Sequence, residues 1–147
     1  MVDREARNIA AEVLRHFISG QSYNFDFEEN EPNSEDPIIS AIWESIWPFY
    51  CDLRKHKMRD DWKIPDIGKR KIANWLLFLY TNEEYKWPKI SYPGVRPQEY
   101  GYVARLFRRH KIEEHFMSHG PYEIWPFIDK ESFENAKQNP RLLSNVT

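Results

Sequence analysis

From Asp66 to about Tyr80 the chain is apolar on almost every side that a helix would present. Ile72, Trp75, Leu76 and Leu79 recur three and four apart and share one face, while Leu77, Phe78 and Tyr80 fill much of the rest. A helix with so little polar surface belongs in the middle of a protein, covered by other elements. Asp66 stands where an N-cap is wanted. Whatever this chain folds into must supply enough amphipathic partners to enclose that segment.

The partners can be read from the same periodicity. In residues 3–19, Ala6, Ile9, Ala10, Val13, Leu14 and Phe17 form one apolar stripe. Asp3 is placed to cap its start, and Gly20 stands where a left-handed residue closes a helix. Asn24 to Glu29 alternates Phe25 and Phe27 with acids and fits either a short helical turn or an extended anchor. A second helix begins with Asp36 as cap and Pro37 in the first position, where a missing N–H does no harm. Its stripe is Ile39, Ile42, Trp43, Ile46 and Tyr50, with Leu53 extending it, and Pro48 predicts a kink or a break within that run. Residues 55–65 read as a charged linker holding Trp62. Pro88, Pro93 and Pro97 make 82–97 an irregular, ordered connection. A further helix is expected over about 98–118, carrying Tyr100, Val103, Ala104, Phe107, Ile112 and Phe116, and Gly120-Pro121 ends it. Residues 122–128 suggest an extended stretch. A short last helix starts near Asp129 and buries Phe133 and Ala136. The expected fold class is mainly α: a bundle of about five helices with a long ordered Pro-rich connection.

At 147 residues the chain matches one globular domain over 1–147, with 138–147 as a loosely ordered tail. Aromatics make up 16% of it, six of them Trp, and rings of this size would dominate a core. Cys51 is the one cysteine, so no disulfide closes within the chain, and its neighbours Phe49 and Tyr50 suggest a small buried residue. The N-terminus lacks an apolar leader and no run approaches the ~20 apolar residues of a membrane span, which points to a cytoplasmic protein. Trp-Pro occurs at Trp47-Pro48, Trp87-Pro88 and Trp125-Pro126. A residue before proline is pushed toward extended geometry, so each pair pins a large ring at a turn. Those rings either plug the ends of the core or share a ligand pocket, the latter with Trp87, Tyr122 and Trp125 as its walls.

Charge is segregated. From His16 to Asp52 there are eight acids (Asp26, Glu28, Glu29, Glu31, Glu35, Asp36, Glu44, Asp52) and no lysine or arginine. From Arg54 to Lys111 there are fifteen basic residues against six acids. Either the acidic segment folds against its own basic helices, or it stays exposed and attracts a basic partner. A phosphate-binding reading of Lys69, Arg70, Lys71, Arg105, Arg108, Arg109 and Lys111 is the weakest, because the balance is only −2, pI is near 6.2, and no nucleic-acid-binding motif is present.

Few residues carry chemistry. His115 and His119 lie four apart on one expected helix face, beside Glu113 and Glu114, and two imidazoles at that spacing can share a metal if a third ligand arrives from elsewhere. At a helix end the same two residues also favour the dipole. Asp52 and His56, four apart, fit an acid–base couple or a surface pair. There is no glycine-rich phosphate loop, nucleophile elbow, Cys-x-x-Cys or His-Glu-x-x-His. No cofactor is expected, and a non-enzymatic role is favoured over catalysis.

Several segments resemble a group of small bacterial proteins. They are Phe17-Ile18-Ser19-Gly20 with Asn24 and Phe27-Glu28; Trp47 and Tyr50 with Asp52-Leu53-Arg54-Lys55-His56; Leu77-Phe78-Leu79 followed by Glu84-Tyr85-Lys86-Trp87-Pro88; and Trp125-Pro126-Phe127. No activity is attached to that group, so the resemblance implies a bacterial source and carries over no catalytic residue. In size and in the acidity of one segment the chain also resembles the immunity proteins that neutralise bacterial toxins. These readings converge on a protein-binding module that works through the acidic face of residues 24–36, with Glu28, Glu29 and Glu31 presented to a basic partner, or through exposed aromatics at the Trp-Pro turns. The alternative is a small enzyme or ligand-binding protein with the aromatic pocket of Trp87, Tyr122 and Trp125.

Overall fold

The computed structural model describes residues 1–88, 101 and 109–139. Among these the protein is mainly α, with six α-helices and no strand: α1 (Arg4–Ile18), α2 (Asn24–Glu29), α3 (Pro37–Ile46), α4 (Asp66–Leu79), α5 (Arg109–Met117) and α6 (Lys130–Gln138). Three 3₁₀ turns, Trp47–Phe49, Asp60–Trp62 and Tyr122–Ile124, join them. The expected residues Tyr100, Val103, Ala104, Phe107, Arg105 and Arg108 lie outside the described residues, as do 89–97 of the Pro-rich connection and the tail from Pro140.

Helix α4 is central. Ile72, Trp75 and Leu79 are fully enclosed, with Leu77 and Phe78 buried and Leu76 and Tyr80 half-buried. Helix α1 lays Ala6, Ala10, Leu14 and Phe17 against it, capped as expected by Asp3, whose carboxylate accepts from the Ala6 N–H at 3.0 Å. Gly20 closes α1 with φ +70°. A Cβ there would meet the Arg59 side chain at 2.6 Å, so backbone and packing both require glycine.

Asn24–Glu29 is helical, and its Phe27 ring joins a stack through three elements. Phe17 of α1 lies 4.8 Å from Phe27 of α2, which lies 4.5 Å from Trp43 of α3. A second aromatic system includes residues of α4 itself. Trp75 and Tyr85 both stand edge-on to Trp125, while Phe78 meets Phe127. Trp43 and Trp75 are core, as their stripes imply.

Arg7 of α1 is completely buried. Its guanidinium contacts both oxygens of Asp36, at 2.7 and 3.3 Å, and donates to the carbonyls of Thr81 (3.0 Å) and Glu83 (2.9 Å). It also lies 5.1 Å over the Phe78 ring. Asp36 caps α3 through the Ile38 N–H and accepts from the backbone N–H of Asp3. One ion pair therefore joins the start of α1, the start of α3 and the exit of α4.

Several sequence expectations are corrected. Of the kink or break expected at Pro48 the break is formed, as α3 ends at Ile46 and the separate Trp47–Phe49 turn follows. What is corrected is the stripe beyond it, since Tyr50 leaves it and Leu53 is 92% exposed. Asp66 is the first helical residue behind Pro65 and bonds Lys69 instead of capping. Residues 55–65 are packed rather than linker-like, since His56, Met58 and Ile64 are buried. Cys51 is half-buried. Ile112 faces outward while Phe116 is enclosed. Residues 122–128 form a 3₁₀ turn and an irregular stretch, not an extended one. On α6, Asp129 caps and Ala136 is buried, but Phe133 is only half-buried.

At its N-terminal end α4 abuts the turn after α3. A Cβ on Gly68 would meet the Phe49 ring at 2.9 Å and the Ile64 side chain at 2.8 Å. Because Asp36 would be left as an uncompensated buried charge, Arg7→Ala should cost about 3–5 kcal/mol of unfolding free energy. Urea denaturation measures it, and a loss below about 1 kcal/mol, the range of exposed pairs, would show that the pair is not structural.

Candidate functional site

The expected site residues divide sharply. Trp87 and Trp125 are 3% and 2% exposed, and Tyr122 is also buried. The Trp87 indole donates to the Phe127 carbonyl (3.2 Å) and packs on Phe116, while the Trp125 indole donates to the Tyr85 hydroxyl (3.3 Å). Lys71 donates to the Tyr122 carbonyl at 3.1 Å and lies 4.5 Å over its ring, with burial pulling its ammonium below the usual lysine range. These rings are packed into the core.

Asp52 and His56 do not meet. Asp52 is exposed, whereas His56 is buried with its ring stacked 4.0 Å from Trp62. Its Nδ1 faces the carbonyl of Arg54 at 3.0 Å and its Nε2 that of Phe49 at 3.4 Å. The ring is held by backbone acceptors, and the acid–base couple is not formed. His115 and His119 do meet, edge to face at 4.7 Å, and His119 Nδ1 donates to the His115 carbonyl at 2.8 Å. Among the described residues no group of three metal-ligating side chains gathers there or elsewhere.

What the fold builds lies on the acidic side. A cleft of about 210 Å³ opens between α2, α3 and the turn after α3. Its inner wall is the stacked pair Phe27 and Trp43, and its outer wall is Trp47, half exposed and edge-on to Tyr50 at 5.1 Å. Glu28 and Glu31 come from α2 and its exit, and Glu44 from α3. Among the described residues no lysine or arginine lines it. Glu28 accepts a hydrogen bond from the Tyr50 hydroxyl. The Tyr50 phenol is held well above the usual tyrosine range, by burial first and then by Glu28, with Asp52 and Glu29 adding to it. The Glu31 carboxyl is pushed up as well, first by partial burial and then by the like charge of Glu44.

Asn24 holds this arrangement in place. Fully buried at the start of α2, its side-chain amide donates to the carbonyls of Cys51 (2.8 Å) and Arg54 (3.0 Å), and its oxygen accepts from the His56 N–H (2.9 Å). Its own backbone N–H donates to the His56 carbonyl. The loop that follows Tyr50 is thus fastened to the helix carrying Glu28.

The charge segregation persists in three dimensions. Of the eight acids between His16 and Asp52, only Asp36 forms an ion pair among the described residues, and its partner comes from α1 rather than from the basic segment. Lys55 and Lys57 instead lie over the Tyr23 ring, at 4.4 and 4.6 Å, and Lys69 pairs with Asp66. The sequence singles out Glu28, Glu29 and Glu31 and, separately, Trp47; that Glu28, Glu31 and Glu44 line one cleft with Trp47 and Tyr50 follows only from the packing of α2 against α3.

Two outcomes follow. Asn24→Ala should cost about 1–3 kcal/mol, since buried donors and acceptors lose their partners. Amide exchange at 51–56 should quicken while α4 stays protected; uniform protection would refute the clamp. Glu31 has a raised pKa, so its contribution to stability is present at low pH and lost as pH rises through that value. Glu31→Gln should therefore hold or raise the melting temperature at pH 7, and a clear fall would contradict the like-charge strain.

Compared with protein-family models, curated proteins and solved structures, the chain matches none.

Proposed function

We propose that this protein is a non-catalytic binding module that recognises a basic protein partner through the acidic face around α2, in the manner of immunity proteins and in the bacterial cytoplasm. The observation that carries this reading is the unpaired charge. Glu28, Glu29, Glu31 and Glu44 have no ion-pair partner among the described residues. A surface kept one-signed in this way repels itself, and a partner of opposite sign relieves that cost while speeding encounter. Glu28 and Glu31 also border the cleft beside half-exposed Trp47. An aromatic anchor within a charged surround is the usual composition of a binding hot spot. No helix among the described residues is long and apolar enough to cross a membrane.

The enzyme or ligand-pocket reading has no observation in its favour, because Trp87, Tyr122 and Trp125 are enclosed and Asp52 and His56 stand apart.

Capture of the partner isolated with the wild-type chain should disappear when Glu28, Glu29 and Glu31 are replaced together by lysine, and should weaken steeply with salt. Unchanged capture overturns the reading. Binding should also weaken on acidification, beginning above the pH at which an ordinary surface glutamate takes its proton, because Glu31 protonates early. Isothermal titration across pH 4–7 tests this, and Glu31→Gln should flatten the upper part of the profile.

A further inference from the structure

We propose that the cleft beside Trp47 seats one arginine side chain of the protein partner; this rests on the reading of the acidic face given above. Charge, ring geometry and size each select that occupant.

The charge is negative and divided between two elements. Glu31 at the exit of α2 and Glu44 on α3 repel each other, while Glu28 is engaged by the Tyr50 hydroxyl. A cation between Glu31 and Glu44 removes the repulsion and gains a counter-ion on either side.

The rings select a flat cation. Phe27 and Trp43 are stacked at 4.5 Å and 13°, so their facing sides are closed to a ligand, and both are buried. Tyr50 stands at 75° to Trp47. Among the lining rings Trp47, half exposed, is the most accessible to a ligand. A cage for a quaternary or alkylammonium group sets several ring faces around one centre. One accessible ring with carboxylates to the sides suits a guanidinium, which stacks through its plane and donates through its edge.

The size matches a side chain. At about 210 Å³ the cleft is below the roughly 300–1,000 Å³ typical of sites for whole small molecules.

The test is an NMR titration of the full chain with N-acetyl-arginine amide and, separately, N-acetyl-lysine amide at constant ionic strength. It follows the Trp47 indole N–H, assigned with Trp47→Phe. A saturable shift of that resonance is expected, with the arginine probe binding more tightly than the lysine probe. The double variant Glu31→Gln/Glu44→Gln should weaken the arginine probe roughly tenfold or more, as loss of a hydrogen bond to a charged group implies. Both carboxylates are exposed, so this variant keeps the fold. Equal binding of the two probes at Trp47 overturns the choice of arginine. Shifts that avoid Trp47, or that ignore the double variant, overturn the cleft as the seat. In either case the wider reading stands or falls separately, on partner capture by the Glu28, Glu29 and Glu31 charge-reversal variant.

Discussion

The fold is organised around a cation that the core encloses completely. Arg7 brings five donors into a place without water, and the protein meets them with the Asp36 carboxylate and two carbonyls at the end of α4. A buried ion pair yields little net stability over a well-packed apolar pair, but it tolerates only one alignment of its partners. Here that alignment fixes where α3 begins relative to α1, and where the chain leaves α4. The Phe17–Phe27–Trp43 stack runs through α1, α2 and α3, whereas Trp75 of α4 meets Trp125 beyond the Tyr122–Ile124 turn.

That alignment was not legible in the sequence, and the reason is physical. In a helical wheel Arg7 is a polar residue one step from an apolar stripe. Its destination depends on Asp36, 29 residues away, and on carbonyls 74 and 76 residues away. Local signals fared better. The α1 stripe (except Ile9, which is 45% exposed), the Asp3, Asp36 and Asp129 caps, the left-handed Gly20 and the centrality of α4 all depend on neighbours within a few positions. Leu53 shows how the local argument breaks: its periodicity continued a helix that had already ended at Ile46.

The tryptophans divide along the same line. A proline after each of three indoles announces a turn, but not which side of the turn faces water. Trp87 and Trp125 fold inward and satisfy their N–H groups within the core, whereas Trp47 remains at the surface. Acidic residues were easier to place, because short polar segments between helices have few ways to be buried. What the acids would find beside them was beyond reach, since it required knowing that α2 and α3 converge through Phe27 and Trp43. The candidate site is therefore half local charge and half tertiary packing, and only the first half could be read in advance.

Gly68 has a bearing on this cleft although it lies outside it. The first turn of α4 comes so near Phe49 that no side-chain carbon fits between them, and Phe49 separates Trp47 from Tyr50 in the chain. The outer wall of the cleft thus leans on the central helix across the thickness of one absent methyl group. Its width is gauged by the core rather than by the loop that displays it, and a partner pressing on Trp47 pushes against α4 itself.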